Sequence, residues 1–261
     1  MLEWFRNIPP KKHCKFVQLD IVEFYPSISH ELLTNAIQFA KNITEISDQT
    51  YETIMHAQKA LLFDKDAIWT KKGESLFDVT MGSYDGAEIC ELVGLFLLHE
   101  IETKFKDLKL GLYRDDGLGI TRGMPGPKQE RMNKEIIKLF KSHGLKITIQ
   151  GNLQQVNFLD VTLDLRNGKF WPFRKPNDVP LYIHKHSNHP PSIIKQLPAM
   201  IESRISSISH DEEEFNKAKD EYNTALKKSG FNCNIKFNKQ TYNKAPHRQR
   251  RVIWFHKQKN G

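Results

Sequence analysis

Residues 111 to 120 read GLYRDDGLGI, and the adjacent pair Asp115-Asp116 constrains this chain more than any other feature. Neighbouring carboxylates repel, so a turn between two apolar segments has little structural reason to carry both. An Asp-Gly pair flanked by alternating apolar residues is a strong hairpin signal. Leu112 precedes it, and Leu118 and Ile120 follow. The expectation is a β-hairpin with two carboxylates at its tip. Such a tip is either a solvated turn or a divalent-cation site, because Mg²⁺ takes a few carboxylate oxygens and keeps water or phosphate in its other positions. A third carboxylate decides between them.

The chain has 261 residues, enough for one large domain or two small ones with a packed core. Its apolar run near residues 92–98 is far too short to span a bilayer, and the N-terminus lacks a signal-peptide core. Three widely spaced cysteines, Cys14, Cys90 and Cys233, suggest neither a disulfide framework nor a zinc motif. The expected setting is intracellular, in nucleus or cytoplasm, with no membrane partner. The net charge is +8, yet residues 227–261 carry ten Lys or Arg and no acidic residue, so the rest of the chain stands near −2. With Phe237, Tyr242, Trp254 and Phe255 among its basic residues, that tail suits a phosphate backbone as well as it suits solvent.

Hydrophobic periodicity predicts a strand over 15–21, then a helix over 29–41 with Ser29 as N-cap and Leu32, Leu33, Ala36, Ile37 and Ala40 on one face. Further helices are predicted over about 48–62, 84–105 and 128–142. Strand-like runs follow, LKITIQ, VNFLDVTLDL, KFWPF and PLYIH, then helical patterns after His189-Pro190-Pro191. This order argues for an α+β fold, with a soft boundary near His189.

The third carboxylate is Asp20, in FVQLDIVEFYPSIS, at the polar end of an apolar strand. A lone Asp there is ordinarily a cap or turn residue. Here the double-Asp hairpin lies 95 residues downstream, and three carboxylates on adjacent strands suit two Mg²⁺ ions about 4 Å apart, the arrangement that stabilises both oxygens of a phosphoryl transfer.

FVQLDIVEFYPSIS resembles motif A of reverse transcriptases, and LYRDDGL resembles their motif C. Between them, Met81-Gly82-Ser83 in MGSYDGAEICELVG resembles the glycine turn that opens the motif B helix. VNFLDVTLDLRNGKFWPFRKP, YIHKHSNHPP and IESRISSIS are similar to the tract after motif C in Penelope-like retroelement enzymes. The likeness covers about residues 13 to 230, with the blocks in order. It implies a polymerase palm, an antiparallel sheet backed by helices, over residues 1–188. A thumb-like helical region would follow over 189–230, then a basic flexible tail over 231–261. It implies RNA-directed DNA synthesis on an RNA or DNA template with primer, using dNTPs and two Mg²⁺ ions, with Mn²⁺ as a substitute.

Residue by residue, the resemblance makes Asp20, Asp115 and Asp116 the catalytic metal ligands, with the carbonyl of Ile21 also facing a metal. Tyr25 would be the steric gate against a ribose 2′-OH, and Gly82 would let backbone approach template or nucleotide closely. Lys146, or the register-shifted Gln150, would serve the leaving pyrophosphate. Phe173, Arg174 and Lys175 lie where a primer-gripping hairpin is expected. Arg114 receives no role. Two departures stand out: Tyr84-Asp85-Gly86 replaces the usual small-residue turn of motif B, and only about 19 residues precede motif A, so most of the fingers is missing and a truncated copy is expected.

Two other readings stay open. DIVEFYPSI is also similar to motif A of family B DNA polymerases, against which the adjacency of Asp115 and Asp116 speaks. A palm that binds nucleic acid without turnover is the other. His184, His186 and His189 lack a nearby Cys or acidic partner, so zinc has little support, and no phosphate-binding Gly-Lys loop supports ATPase chemistry.

Overall fold

The computed structural model describes residues 1–8, 11–59, 62–69, 76–238 and 253–254. In chain order the elements are α1 (Leu2–Arg6), β1 (Cys14–Val22), α2 (Phe24–Ser27), α3 (His30–Lys41), α4 (Asp48–Ala57), β2 (Leu62–Asp64), β3 (Ala67–Trp69), α5 (Gly86–Lys104), β4 (Leu108–Tyr113) and β5 (Asp116–Arg122). Then come α6 (Gly126–Ser142), β6 (Lys146–Leu153), β7 (Gln155–Phe158), β8 (Val161–Asp164), β9 (Phe170–Pro172), α7 (Pro191–Ser207), α8 (Glu212–Lys228) and β10 (Ile253–Trp254). They fall into two compact units that divide between Leu153 and Gln154, with residues 1–12 joining the second. The soft boundary near His189 instead lies inside that second unit.

The first unit is an antiparallel sheet of order β10-β4-β5-β1-β6, backed by helices. β1 lies inside the sheet between β5 and β6, and it is apolar at alternate positions on its covered face. Val17, Leu19 and Ile21 point one way and, with Leu108, Leu110 and Leu112 of β4, pack into one core with Leu33 and Ile37 of α3, Val93 and Leu97 of α5 and Ile136 and Phe140 of α6. Burying one such side chain contributes about 1.5–3 kcal/mol, which fixes the register: a slip of one residue would turn this row to the other face. The predicted start of α3 is realised, as Ser29 Oγ accepts from the Leu32 amide at 3.1 Å and Leu32, Leu33, Ala36 and Ile37 are buried.

The helix expected over 48–62 ends at Ala57. There Gln58 turns its side chain into the protein, donating to Asp85 Oδ2 at 2.6 Å, and residues 62–69 form the β2–β3 hairpin. Most of the turn expected around Gly73 lies outside the described residues.

In the second unit, the run VNFLDVTLDL is not one strand. It folds at Leu159, φ 56°, into the β7–β8 hairpin, and β9 completes a three-stranded sheet. PLYIH forms no strand. Phe5 of α1 packs edge-on against Phe170 of β9, and both rings are fully buried. Residues 231–238, expected to start a flexible tail, are held by α7 and α8. Ile235 N donates to Asn223 Oδ1, Lys236 N to Glu202 Oε2 and Asn238 N to Ser206 Oγ. Most of the basic tail beyond them lies outside the described residues. No helix among the described residues is long and apolar enough to cross a membrane.

Candidate active site

Pairing of β4 with β5 runs to Tyr113↔Asp116, which leaves Arg114 and Asp115 as the two turn residues. The expected Asp-Gly tip is therefore two residues off: Arg114 and Asp115 occupy the turn, Asp116 opens β5, and Gly117 lies inside the strand. Arg114 carries the left-handed backbone, φ 56°, which costs a non-glycine residue on the order of 1 kcal/mol. Gly117 is required for another reason. A Cβ there would stand 2.4 Å from Leu19 Cγ and 3.0 Å from Leu112 Cδ2, so only glycine lets both neighbouring leucines reach across β5.

Asp20 pairs directly with Asp116 across β1 and β5. The Ile21 amide donates to the Asp115 carbonyl at 2.9 Å, which makes Ile21 and Asp115 a hydrogen-bonded pair. By the alternation of an antiparallel ladder, Asp20 and Asp116 then form a non-hydrogen-bonded pair, the kind whose Cα atoms approach to about 4.5 Å. Like charges at that position destabilise a sheet. Both side chains lie on the sheet face opposite Leu19 and Ile21, and Asp20 and Asp115 are exposed. In such a ladder the N–H and C=O of one residue point to the same neighbour, so the Ile21 carbonyl faces the hairpin tip beside Asp115. Tip and strand end thus present hard oxygen donors and no sulfur or imidazole, the donor chemistry of Mg²⁺. The three carboxylates are not gathered into a closed ligand set; among the described residues the acidic group whose oxygens all lie within 4.8 Å of one another is Asp211, Glu213 and Glu214, where Lys169 and Lys217 pair with them.

Lys146 opens β6 opposite Val22, and Thr148 stands opposite Asp20. Lys146 therefore shares the carboxylates' sheet face and lies diagonal to Asp20, within reach of a long side chain. Gln150, opposite Gln18, is the other diagonal neighbour.

Glu23, at φ 49°, ends β1 and turns the chain into the single turn α2, which delivers Tyr25. Tyr25 is buried against α5, 7 % exposed, and Cys90 of the same helix is fully buried. Burial, then the Cys90 and Asp115 charges, hold its hydroxyl above the ordinary tyrosine range, while Arg114 pulls the other way. Cys90 carries no sequence signal for this placement; only its spacing of four from Gly86 marks a common helix face. Gly82 sits in the turn before α5 at φ +94°, and a Cβ placed on it would meet nothing within 4 Å, so its need for glycine is conformational and not a close packing contact. Met81 and Tyr84 of the same turn point to solvent, and Ser83 Oγ donates to the Thr80 carbonyl at 2.9 Å.

Phe173, Arg174 and Lys175 follow β9 in the second unit. The Phe173 amide donates to the Asp160 carbonyl. Arg174 is engaged internally: its guanidinium donates to the Asp178 carbonyl, pairs with Glu221 at 3.1 Å and lies over the Tyr222 ring. Lys175 is exposed.

No protein-family model matches the chain, and no curated protein matches it in sequence. Solved structures do match. A Candida tropicalis telomerase in complex with a fragment of telomeric RNA superposes with a TM-score of 0.50 at 14% identity, over 87% of this chain and 40% of that one. The fold is that of a polymerase palm. An apo form of the same telomerase, truncated at its C-terminal domain, gives 0.49 at 16% identity, covering 66% and 39%. The RNA-dependent RNA polymerase of a human picobirnavirus gives 0.47 at 14%, covering 63% and 31%. This chain thus spans two fifths or less of the length of these structures.

Proposed function

We propose that this chain is the palm of a template-directed nucleic-acid polymerase. On this reading it adds dNTPs to a primer 3′-OH with loss of pyrophosphate, as an RNA-directed DNA polymerase of the Penelope-like retroelement kind. The observation that carries the reading is the placement of Asp20 opposite Asp116 with Asp115 bonded to Ile21 at the strand end. A stable sheet has no use for like charges at its closest pairing, whereas a divalent-cation site requires them. The palm fold supports the polymerase class, and the RNA bound by the telomerase of similar fold supports a nucleic-acid partner.

Asp20, Asp115 and Asp116, with the Ile21 carbonyl, would hold Mg²⁺. When bound, Mg²⁺ lowers the pKa of the primer hydroxyl and neutralises charge on the leaving phosphates. Lys146, on the same sheet face, is assigned as proton donor to the pyrophosphate. Tyr25 stands as the wall against a ribose 2′-OH, which favours dNTPs. Gly82 leaves the turn before α5 open on its outer side for template or nucleotide, and Lys175 is the exposed cation of the primer-gripping segment.

Primer extension on an RNA template with dNTPs and Mg²⁺ tests this directly. The unmodified chain is expected to extend, and the Asp115→Asn, Asp116→Asn double variant to lose extension while still binding template–primer. Template–primer binding without extension by either protein would overturn the enzymatic reading in favour of a silent nucleic-acid-binding palm.

A further inference from the structure

The turn before α5 is tied at both ends to one buried residue that the polymerase reading does not use. Gln58, at the C-terminus of α4, is 2 % exposed. Its carbonyl accepts from the Asp78 amide at 2.8 Å, and its side-chain amide donates to Asp85 Oδ2 at 2.6 Å. Lys59, next in the chain, forms an antiparallel bridge with Phe77, so the end of α4 runs against the start of the turn. Asp85 is the N-cap of α5, where an aspartate ordinarily accepts from an amide of the first helical turn. Here it makes no such bond, and its carboxylate accepts from Gln58 instead.

The part of the turn between these ends has no cover of its own. Met81 is 76 % exposed, Tyr84 is fully exposed, and Gly82 and Ser83 are exposed between them. Short bonds make this part a unit: Ser83 N and Oγ both donate to the Thr80 carbonyl, at 3.2 and 2.9 Å, and Thr80 Oγ1 donates to Asp78 Oδ2 at 3.0 Å. At its exit the turn lies close on α5, since a Cβ at Gly86 would stand 2.6 Å from Ser83 Oγ and 2.7 Å from the Thr80 carbonyl. A unit that is bonded within itself and bare outside is placed by its attachments. Val79, buried in the core, is one of these, and Gln58 supplies two more.

Resting on the polymerase reading, in which Gly82 faces template or nucleotide, we infer that Gln58 is a positioning residue for the incoming dNTP. By holding Asp78 and Asp85 together it sets where the turn carrying Gly82 stands, and with it how tightly the nucleotide is held. Because the nucleotide pairs with the template base, a displaced turn weakens its binding whichever of the two the turn touches. The inference also gives Asp85 a use at the place where Tyr84-Asp85-Gly86 departs from the small-residue turn of motif B.

The test measures KM for the dNTP and kcat in primer extension, at a temperature well below the thermal midpoint of each protein. It compares the unmodified chain with Gln58→Ala, Gln58→Glu, and Gln58→Glu combined with Asp85→Asn. Loss of one hydrogen bond predicts that Gln58→Ala raises KM roughly three- to tenfold with kcat little changed. Gln58→Glu sets a second carboxylate against Asp85 and is expected to raise KM at least as far. Adding Asp85→Asn restores a donor and an acceptor with their places exchanged, and KM is expected to return to within about twofold of the unmodified chain. A general loss of packing would lower the thermal midpoint without this recovery. Should Gln58→Ala not fold, Gln58→Glu and its double variant carry the comparison. An unmoved KM in Gln58→Ala, or a double variant no better than Gln58→Glu, would overturn the inference and leave the polymerase reading intact. Absence of extension by the unmodified chain would overturn the polymerase reading itself, and the inference with it.

Discussion

Gly117 and Asp116 are neighbours with opposite demands. The aspartate places a charge where the sheet can least accommodate one, and the glycine removes a side chain where two leucines need the room. Replacing Gly117 by Ala puts a methyl 2.4 Å from Leu19 Cγ, so β1 and β5 must part or the leucine must leave its rotamer. Over-packing of this kind costs about 1–3 kcal/mol. Urea unfolding of Gly117→Ala is expected to show a loss in that range with an unchanged denaturant slope. A change under about 0.5 kcal/mol would mean that the strand relaxes freely and that the close approach is not needed. The aspartates and the glycine were legible in sequence as types, but their assignment was not: LYRDDGL reads as an Asp-Gly turn because turn statistics are local. The tertiary contact with Leu19 takes the glycine for the strand and leaves Arg114 in the left-handed position.

At the scale of elements, periodicity located α3, α5 and α6 to within a few residues, since each buries one face against the sheet. It failed where short elements are fixed by side-chain contacts, as at the end of α4 and in the β7–β8 hairpin. The loop from β8 to β9 shows such a contact. Asp164 is almost fully buried, and its carboxylate accepts from the Arg166 amide at 2.8 Å and from the Arg166 guanidinium at 2.7–3.1 Å. Burial pushes this carboxyl up, but the Arg166 hydrogen bonds and charge outweigh it and leave it below the ordinary aspartate range. A carboxyl depressed in the folded state contributes stability that is fully present above the unfolded value, near pH 4, and is lost as pH falls through the folded value. Asp164→Asn is therefore expected to destabilise by about 1.5–3 kcal/mol at pH 7, with the gap to the unmodified chain narrowing below about pH 4. Urea unfolding at pH 7 and pH 3 measures both, and a gap that stays constant across the two would contradict the charge-based account.

For the whole molecule, the sequence indicated a palm and an order of motifs, and the palm fold is what the structure has. It did not reveal that residues 1–12 belong with the second unit, because the Phe5–Phe170 contact joins positions too distant for any local pattern to register. The central claim is that the opposed carboxylates are a charge held ready for a cation, and the stability of the entire fold registers it. The measurement is the thermal midpoint of the unmodified chain and of Asp116→Asn, each without divalent metal and with millimolar Mg²⁺. Without metal the variant is expected to melt higher, by the few tenths to 1 kcal/mol that relief of a like-charge pair contributes. Added Mg²⁺ is expected to raise the unmodified chain by roughly 2–4 °C and to leave the variant nearly unmoved. A variant that melts lower without metal, or that responds to Mg²⁺ as the unmodified chain does, would contradict the account.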